Sequence, residues 1–433
     1  MRTFNYPFEP GRKMMNKNRD NSLVTPRIRR ARVATFAGFA LIGALMYLWS
    51  TSVTAFRQHL GLGGAGGDLN FGMIALAIGV GAAVGSLVIG RFIDLYGAKR
   101  VVGATMILYP ASIIPLGFVS QVWFTMAFGV VFGLLRGATD TAMNAHGVQV
   151  ERFYRRPIMS AFHAFYSLGG FLFGMLGSWF ASRYPDSATM PFAICGAVLV
   201  ALALLIRTAL LNKDEIIADV VAEDAASSGA TAIGTGSVVL MMVGFGILLL
   251  GGMFGENAVA DWGQEYLSRE LGSSVAVAGM AISFFTGAQF VGRFIGDRVA
   301  EKIGAPVLVG LSGLCAVAGL LVTMNGGSDI VGIVGFSMFG LGTACISPLM
   351  LSSAGRKDPA NAGRNIGIVN GIGFSGVLIA PAVLSLVVSA YGIGRLLYFP
   401  LLLLGLLAIF GPLLMSAGGR KQSFPRAGSS SKV

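Results

Sequence analysis

The sequence predicts an all-α membrane protein: twelve transmembrane helices in two six-helix pseudo-repeats, with little soluble mass. Three observations carry that expectation. Of 433 residues, 54% are hydrophobic and 12% charged, where soluble domains hold about 25% charged residues. Apolar stretches of roughly 20 residues, long enough to cross hydrocarbon, recur to the end of the chain. The chain also repeats itself. Setting Gly72 against Gly279 gives a shift of 279 − 72 = 207 residues that runs without a gap to Gly103 and Gly310. It pairs Met73 with Met280, Gly85 with Gly292, Arg91 with Arg298 and Gly97 with Gly304, and sets Asp94 opposite Glu301. A segment present in both halves points to duplication.

The elements follow in order. Residues 1–32 are polar, hold Arg27, Arg29, Arg30 and Arg32, and read as a cytoplasmic tail. The apolar run 33–56 is too long for a signal-peptide core and reads as the first span. Spans at 71–92, 100–119, 122–148, 157–182 and 189–211 complete an N-terminal bundle over 33–211. Residues 212–235 open with Lys213, Asp214 and Glu215, continue rich in Ser, Ala and Gly, and read as a cytoplasmic linker. Spans at 236–258, 274–297, 304–325, 330–352, 365–389 and 395–416 make a C-terminal bundle over 236–416, and 417–433 form a second tail.

Charge orients these spans. The net charge of +12 sits mostly in tails and short loops. It therefore speaks for topology and against nucleic acid as a partner. Arg152, Arg155, Arg156, Arg356, Lys357, Arg364, Arg420, Lys421 and Arg426 fall on one side of the count. The other side holds Arg57, Arg183, Arg269 and Arg395. Both termini are expected in the cytoplasm, in a bacterial inner membrane. Cys195, Cys315 and Cys345 lie inside apolar runs and read as buried hydrophobes.

Two parallel six-helix repeats joined by a cytoplasmic linker match the plan of major facilitator transporters. Residues 90–100, GRFIDLYGAKR, resemble that superfamily's signature between the second and third spans, G-x-x-x-D-x-x-G-x-[RK]-[RK]. Residues 136–170, RGATDTAMNAHGVQVERFYRRPIMSAFHAFYSLGG, and 256–262, ENAVADW, resemble the YbjJ-like branch related to fucose permease. The superfamily resemblance covers about residues 33–416.

A gating role is expected for Gly90, Arg91, Asp94, Gly97 and Arg100, with Asp297 and Arg298 in the second copy. Asp94 lies near a helix end where basic neighbours can pair with it, and such pairs would have to break as that side opens. The second copy departs from the pattern: Asp297 comes one turn early, and Pro306 stands opposite Lys99. The plainer alternative is that these charges only anchor helix ends.

The groups that carry transport should lie near mid-membrane. Arg136, Asp140 and Asn144 are spaced i, i+4, i+8 and form one stripe. A charge in hydrocarbon costs several kcal/mol, so such groups face a cavity and usually serve a function. Asp140 with Arg136 is the candidate proton-coupling pair; the alternative is a static ion pair. Candidate solute contacts are Asn144, His163, Tyr166, Glu256, Asn257, Trp262, Gln289, Arg293, Asn370, Tyr47 and Trp49, with Asp261 and Ser50 beside them. For the acids the alternative is a solvated membrane edge, for Arg293 an anchor, for His163 an interhelical donor, and for the aromatics packing.

Other chemistries find no support. His59, His146 and His163 show no ligand spacing, so no metal is expected. No GxxxxGK[ST] loop appears, so ATP is not the energy source, and neither a cofactor nor an enzymatic activity is expected. The fifth span has Gly169, Gly170, Gly174 and Gly177 but no proline, so the superfamily's Gly-Pro antiporter signature is missing. The expected protein is a monomeric secondary transporter that moves a small polar solute with protons by alternating access. Sugars enter only through the likeness to fucose permease. The alternatives are a proton-antiport exporter of drugs or metabolites and a non-transporting receptor or scaffold.

Overall fold

A computed structural model describes residues 24–154, 158–212, 235–357 and 362–416. The expected linker lies almost wholly outside these, as do most of both tails. The described chain is helical. The first half holds α1 (Pro26–Ser50), α2 (Val53–His59), α3 (Asp68–Tyr96), α4 (Ala98–Leu116), α5 (Val122–Tyr154), α6 (Met159–Arg183) and α7 (Thr189–Ala209). The second holds α8 (Thr235–Glu270), α9 (Val275–Ile303), α10 (Ala305–Met324), α11 (Asp329–Thr343), α12 (Ile346–Lys357), α13 (Ala362–Tyr391) and α14 (Tyr398–Ser416).

Among the described residues, eleven helical stretches are long and apolar enough to cross a membrane. The third expected span, α4, falls outside that set because it starts on Lys99 and Arg100 and contains Pro110 and Pro115. Its 19 residues still rise about 28 Å, and it packs between α5 and α7, completing twelve crossings. The tenth crossing is α11 followed by α12. Pro348 follows the break at Ala344 and Cys345 and has no N–H for the Ala344 carbonyl.

The boundaries differ from expectation in places. Residues 26–32, expected in the tail, are the start of α1. Thr25 caps it by accepting from the Ile28 N–H at 3.3 Å, and Pro26 opens it. Arg27 is tied down as well, donating to the Ala209 and Leu210 carbonyls at 2.6 Å each. The first crossing breaks at Thr51 and Ser52, and α2 continues it. The last begins at Tyr398, after a 3-10 turn over Ile393–Arg395.

The 207-residue register holds in three dimensions. Gly97 and Gly304 join consecutive helices at φ of 81° and 89°, a region that favours glycine. A Cβ on Gly133 would clash with the Ile78 carbonyl, and one on Gly340 with the Phe285 carbonyl; 133 + 207 = 340 and 78 + 207 = 285. The halves meet along two seams, α6 against α9 and α3 against α13. There Gly72 faces Ser385 and Gly279 faces Ser178, and 178 + 207 = 385. Both seams are thus closed by the same glycine–serine contact, small residues that let helices approach closely. The face where the chain enters α1 and leaves α14 is here the tail face; the opposite one, which carries α2, is the far face.

Candidate functional site

The far face is sealed by charge. Arg57 of α2 and Asp68 of α3 are fully buried, 0% and 1% exposed, and bond at 2.7 Å. Arg269 of α8 reaches the same carboxylate at 2.8 Å, and Glu265 lies 3.5 Å from Arg57. The loop after α2 folds back because Gly61 and Gly64 take φ of 68° and 69°, which brings the Leu62 and Gly64 carbonyls to the Arg57 guanidinium. Arg57 also lies over Phe71 and Trp262, whose rings meet edge-on at 5.2 Å. Gln264 of α8 accepts from the Thr54 N–H at 3.0 Å and donates to the Thr51 carbonyl at 2.7 Å. Apart from the loop carbonyls and the contacts within one helix pair, these links run from the first half to the second. Removing one partner of a buried ion pair is strongly destabilising, so each half holds charges here that depend on the other.

Below this seal, the mid-depth charges gather at the seam. Arg136 and Asp140 of α5, Glu256 and Asp261 of α8, and Arg293 of α9 all retain some accessible surface inside the bundle. A small cleft of about 10 Å³, close to one water position, is lined by Trp49, Ala75, Arg136, Asn257, Asp261 and Pro381 among others. Arg136 lies within electrostatic reach of Tyr109, Tyr166, Asp261 and Asp140. The expected partner Asp140, one turn away, is therefore joined by a carboxylate from the other half. Among the described residues, direct ion pairs lie at the far-face seal, and Arg136 and Asp140 do not form one.

A polar chain ties the halves below the cleft. The Asn144 amide donates to the Asp140 carbonyl at 2.9 Å, which leaves its Oδ1 to accept from His163 Nε2 at 3.1 Å. Arg293 crosses the seam and donates to the His163 carbonyl at 3.3 Å and the Ser167 hydroxyl at 2.6 Å. His163 is thus a bridge between α5 and α6.

The second half presents acceptors. Asn257 donates its amide to the Met253 carbonyl at 2.7 Å and lines the cleft. Gln289 donates to Thr343 at 3.1 Å, and its own Oε1 is buried with no partner. Glu256 lies beside Gln289, Thr343 and Arg293. This wall can receive hydrogen bonds from a solute that donates them, while Arg136 faces it from the first half.

Other candidates fall differently. Trp262 is fully buried in the far-face seal, away from the cleft lining. Trp49 packs among Phe56, Phe132 and Phe192 with one edge on the cleft. Tyr47 sits between Tyr166 and Phe285 across the seam. Ser50 is buried and bonds back to the Met46 carbonyl. Asn370 stands at the register position of His163, 163 + 207 = 370, half-buried in α13.

At the tail face, Arg91, Arg100, Asp297 and Arg298 are exposed, and Arg298 lies over Phe294 of its own helix. The Asp94 side chain lies outside the described residues. Gly97 is required by its φ. Gly90 is not required for packing, since a Cβ there would touch nothing. Lys99 donates to Asn212 at 2.8 Å.

The sequence reading missed Arg57, Asp68, Gln264, Glu265 and Arg269 as a unit. The signal was there: Glu265 and Arg269 are spaced i, i+4 at the end of an apolar run, opposite a short loop with Arg57 and Asp68. Tyr109, Ser167 and Thr343 were also missed, and single hydroxyls in apolar helices carry no sequence signal of that kind.

The profile of the Major Facilitator Superfamily matches residues 34–256. An uncharacterized transporter of Sinorhizobium fredii, y4wD, is 27% identical over 382 residues, covering 87% of this chain and 96% of that protein. The membrane protein MosC of Rhizobium meliloti is 26% identical over 368 residues, 83% of this chain and 84% of its own. Among solved structures, the nucleoside transporter NupG superposes with a TM-score of 0.63 at 15% identity, covering 90% of this chain and 99% of that one. The xylose transporter XylE from E. coli, in a partially occluded inward-open conformation, gives 0.67 at 12% identity, covering 90% and 97%. At these identities the likeness to the solved structures concerns the fold.

Proposed function

The chain belongs to the major facilitator superfamily, and from that premise we propose that this membrane transporter moves a small polar solute together with protons by alternating access between its halves. One observation carries the reading: five ionisable side chains with accessible surface gather at mid-depth on the seam, beneath a closed far-face seal. Charges are tolerated there when they border a watery passage. The tail face is cytoplasmic in this reading, in a bacterial plasma membrane, and both termini lie inside. The solute sits between the acceptors of α8 and α9 and the Arg136 side of α5. Asp140 carries the proton, and Arg136 senses its charge. Solute and proton drive the swing only if together they favour one closed arrangement more than either does alone.

The test is transport itself. A thermal-shift screen against sugars, amino acids and organic acids identifies a solute, which is then offered to proteoliposomes. An inward proton gradient is expected to drive its accumulation. Efflux under that gradient supports export by antiport instead, and binding without flux supports a receptor.

Two variants probe the swing. Gly279→Val places a Cβ 2.6 Å from the Ser178 hydroxyl. Overpacking of that kind costs about 1–3 kcal/mol in the far-face-closed arrangement. Labelling of the cleft from the far face should rise roughly tenfold; unchanged labelling would remove the seam contact from the swing. Asp94→Ala should shift the balance between the two open states by loosening the tail face. If accessibility from both sides matches the parent protein, the signature only anchors its helix.

A further inference from the structure

Tyr109 of α4 is fully buried, and its hydroxyl has no hydrogen-bond partner. Native structures rarely leave a buried hydroxyl in that state without a use for it. The ring is held by packing, 5.2 Å from Phe132 of α5. The titratable and charged groups that face it are Arg136 and Asp140 of α5 and Tyr166 of α6. Tyr109 in turn lies among the groups around Arg136, with Tyr166, Asp261 and Asp140. Arg136 and Asp140 lie one turn apart without direct ion-pair contact. A phenol can accept from a guanidinium and donate to a carboxylate at once. Tyr109 and Tyr166 both face Arg136 and Asp140; Tyr166 is partly exposed, whereas the Tyr109 hydroxyl is buried without a partner.

We propose that Tyr109 is a positioning residue of the coupling pair: its hydroxyl bridges Arg136 to an ionised Asp140 and releases it when Asp140 takes up a proton. The inference rests on the reading that Asp140 carries the coupling proton. In the ionised state the phenol O–H donates to the carboxylate, a charge-assisted bond. Once Asp140 is protonated, its own O–H is a donor and the bridge has nothing to hold. The proton comes from water in the passage and resides on Asp140; the phenol keeps its own proton throughout. Arg136 is then free to turn toward Asp261 of the other half, which links proton uptake to the seam.

The proton alone serves as the probe. Trp49 lines the cleft beside Arg136 and Trp262 lies in the seal, so tryptophan fluorescence of the purified full chain is titrated with acid, and melting is followed in parallel. The parent protein is expected to show a proton-dependent transition that Asp140→Asn abolishes. Tyr109→Phe, with an unchanged or higher melting temperature, is expected to shift its midpoint to higher pH by about one unit, a tenfold change in proton affinity. Tyr109→Leu, which also lacks the hydroxyl, should shift it in the same direction. A transition that survives Asp140→Asn overturns the coupling reading itself. A transition abolished by Asp140→Asn but unmoved by both Tyr109 variants overturns this inference alone.

Discussion

Asp68→Asn is expected to unlock the far face. In the closed arrangement this one carboxylate serves two guanidiniums, Arg57 at 2.7 Å and Arg269 at 2.8 Å. Neutralising it leaves Arg57 buried with only Glu265 at 3.5 Å as counter-charge. Removing one member of a buried pair costs about 3–5 kcal/mol. The cost falls on the closed arrangement alone, because water can solvate Arg57 once the face opens. The equilibrium should therefore move toward far-face opening by roughly 10²–10⁴-fold. A membrane-impermeant thiol reagent applied from the far side reads this directly, with a single cysteine placed in the cleft. Labelling at the parent rate would mean that the network does not hold the halves together. The loop carbonyls and aromatic rings around Arg57 are expected to be insufficient alone, since they carry no net negative charge.

Asp140→Asn is expected to separate proton coupling from solute movement. The amide keeps the size and the polar atoms of the side chain but cannot take up a proton. Accumulation driven by a proton gradient should fall at least tenfold, toward simple equilibration. Exchange of internal for external solute, which needs no net proton movement, should stay near the parent rate. The link from Asn144 to the Asp140 main-chain carbonyl does not involve the carboxylate, so the polar chain to His163 and Arg293 survives the change. Full accumulation by the variant would take Asp140 out of the coupling role and direct attention to Glu256 or Asp261.

Much of the fold was legible in the sequence because lipid imposes it. Apolar length defined the crossings, and the matched glycines at 97 and 304 marked the same turn in both halves. The less legible features depend on a local bond or a distant partner. Pro348 interrupts the tenth crossing through one missing N–H, which hydropathy cannot register. The Arg57 loop looked like an ordinary short connection, since its fold-back depends on two positive φ angles and a carboxylate on the next helix. The i, i+4 spacing correctly placed Arg136, Asp140 and Asn144 on one stripe, yet it reports neighbours on a single helix. Asp261 and Tyr109, which also act on Arg136, come from α8 and α4. Trp262 looked like a cavity aromatic for the same reason: its place in the seal is set by Phe71 and Arg57. His146 illustrates the reverse. It has no metal-ligand spacing, and the structure uses it as a tie, with Nε2 accepting from the Leu211 N–H at 3.0 Å and Nδ1 donating to Thr35 at 3.2 Å.

The central claim is that the charges at mid-depth border a watery passage that opens to one face at a time. Asn257→Cys, in a chain whose native Cys195, Cys315 and Cys345 are replaced, places a thiol on that passage in reconstituted vesicles. With the seal closed, an impermeant reagent should label it from the tail face and leave it protected from the far face, and Asp68→Asn should reverse that preference. A thiol protected from both faces with and without the seal would contradict the claim, because the charges would then be packed in a dry contact between helices.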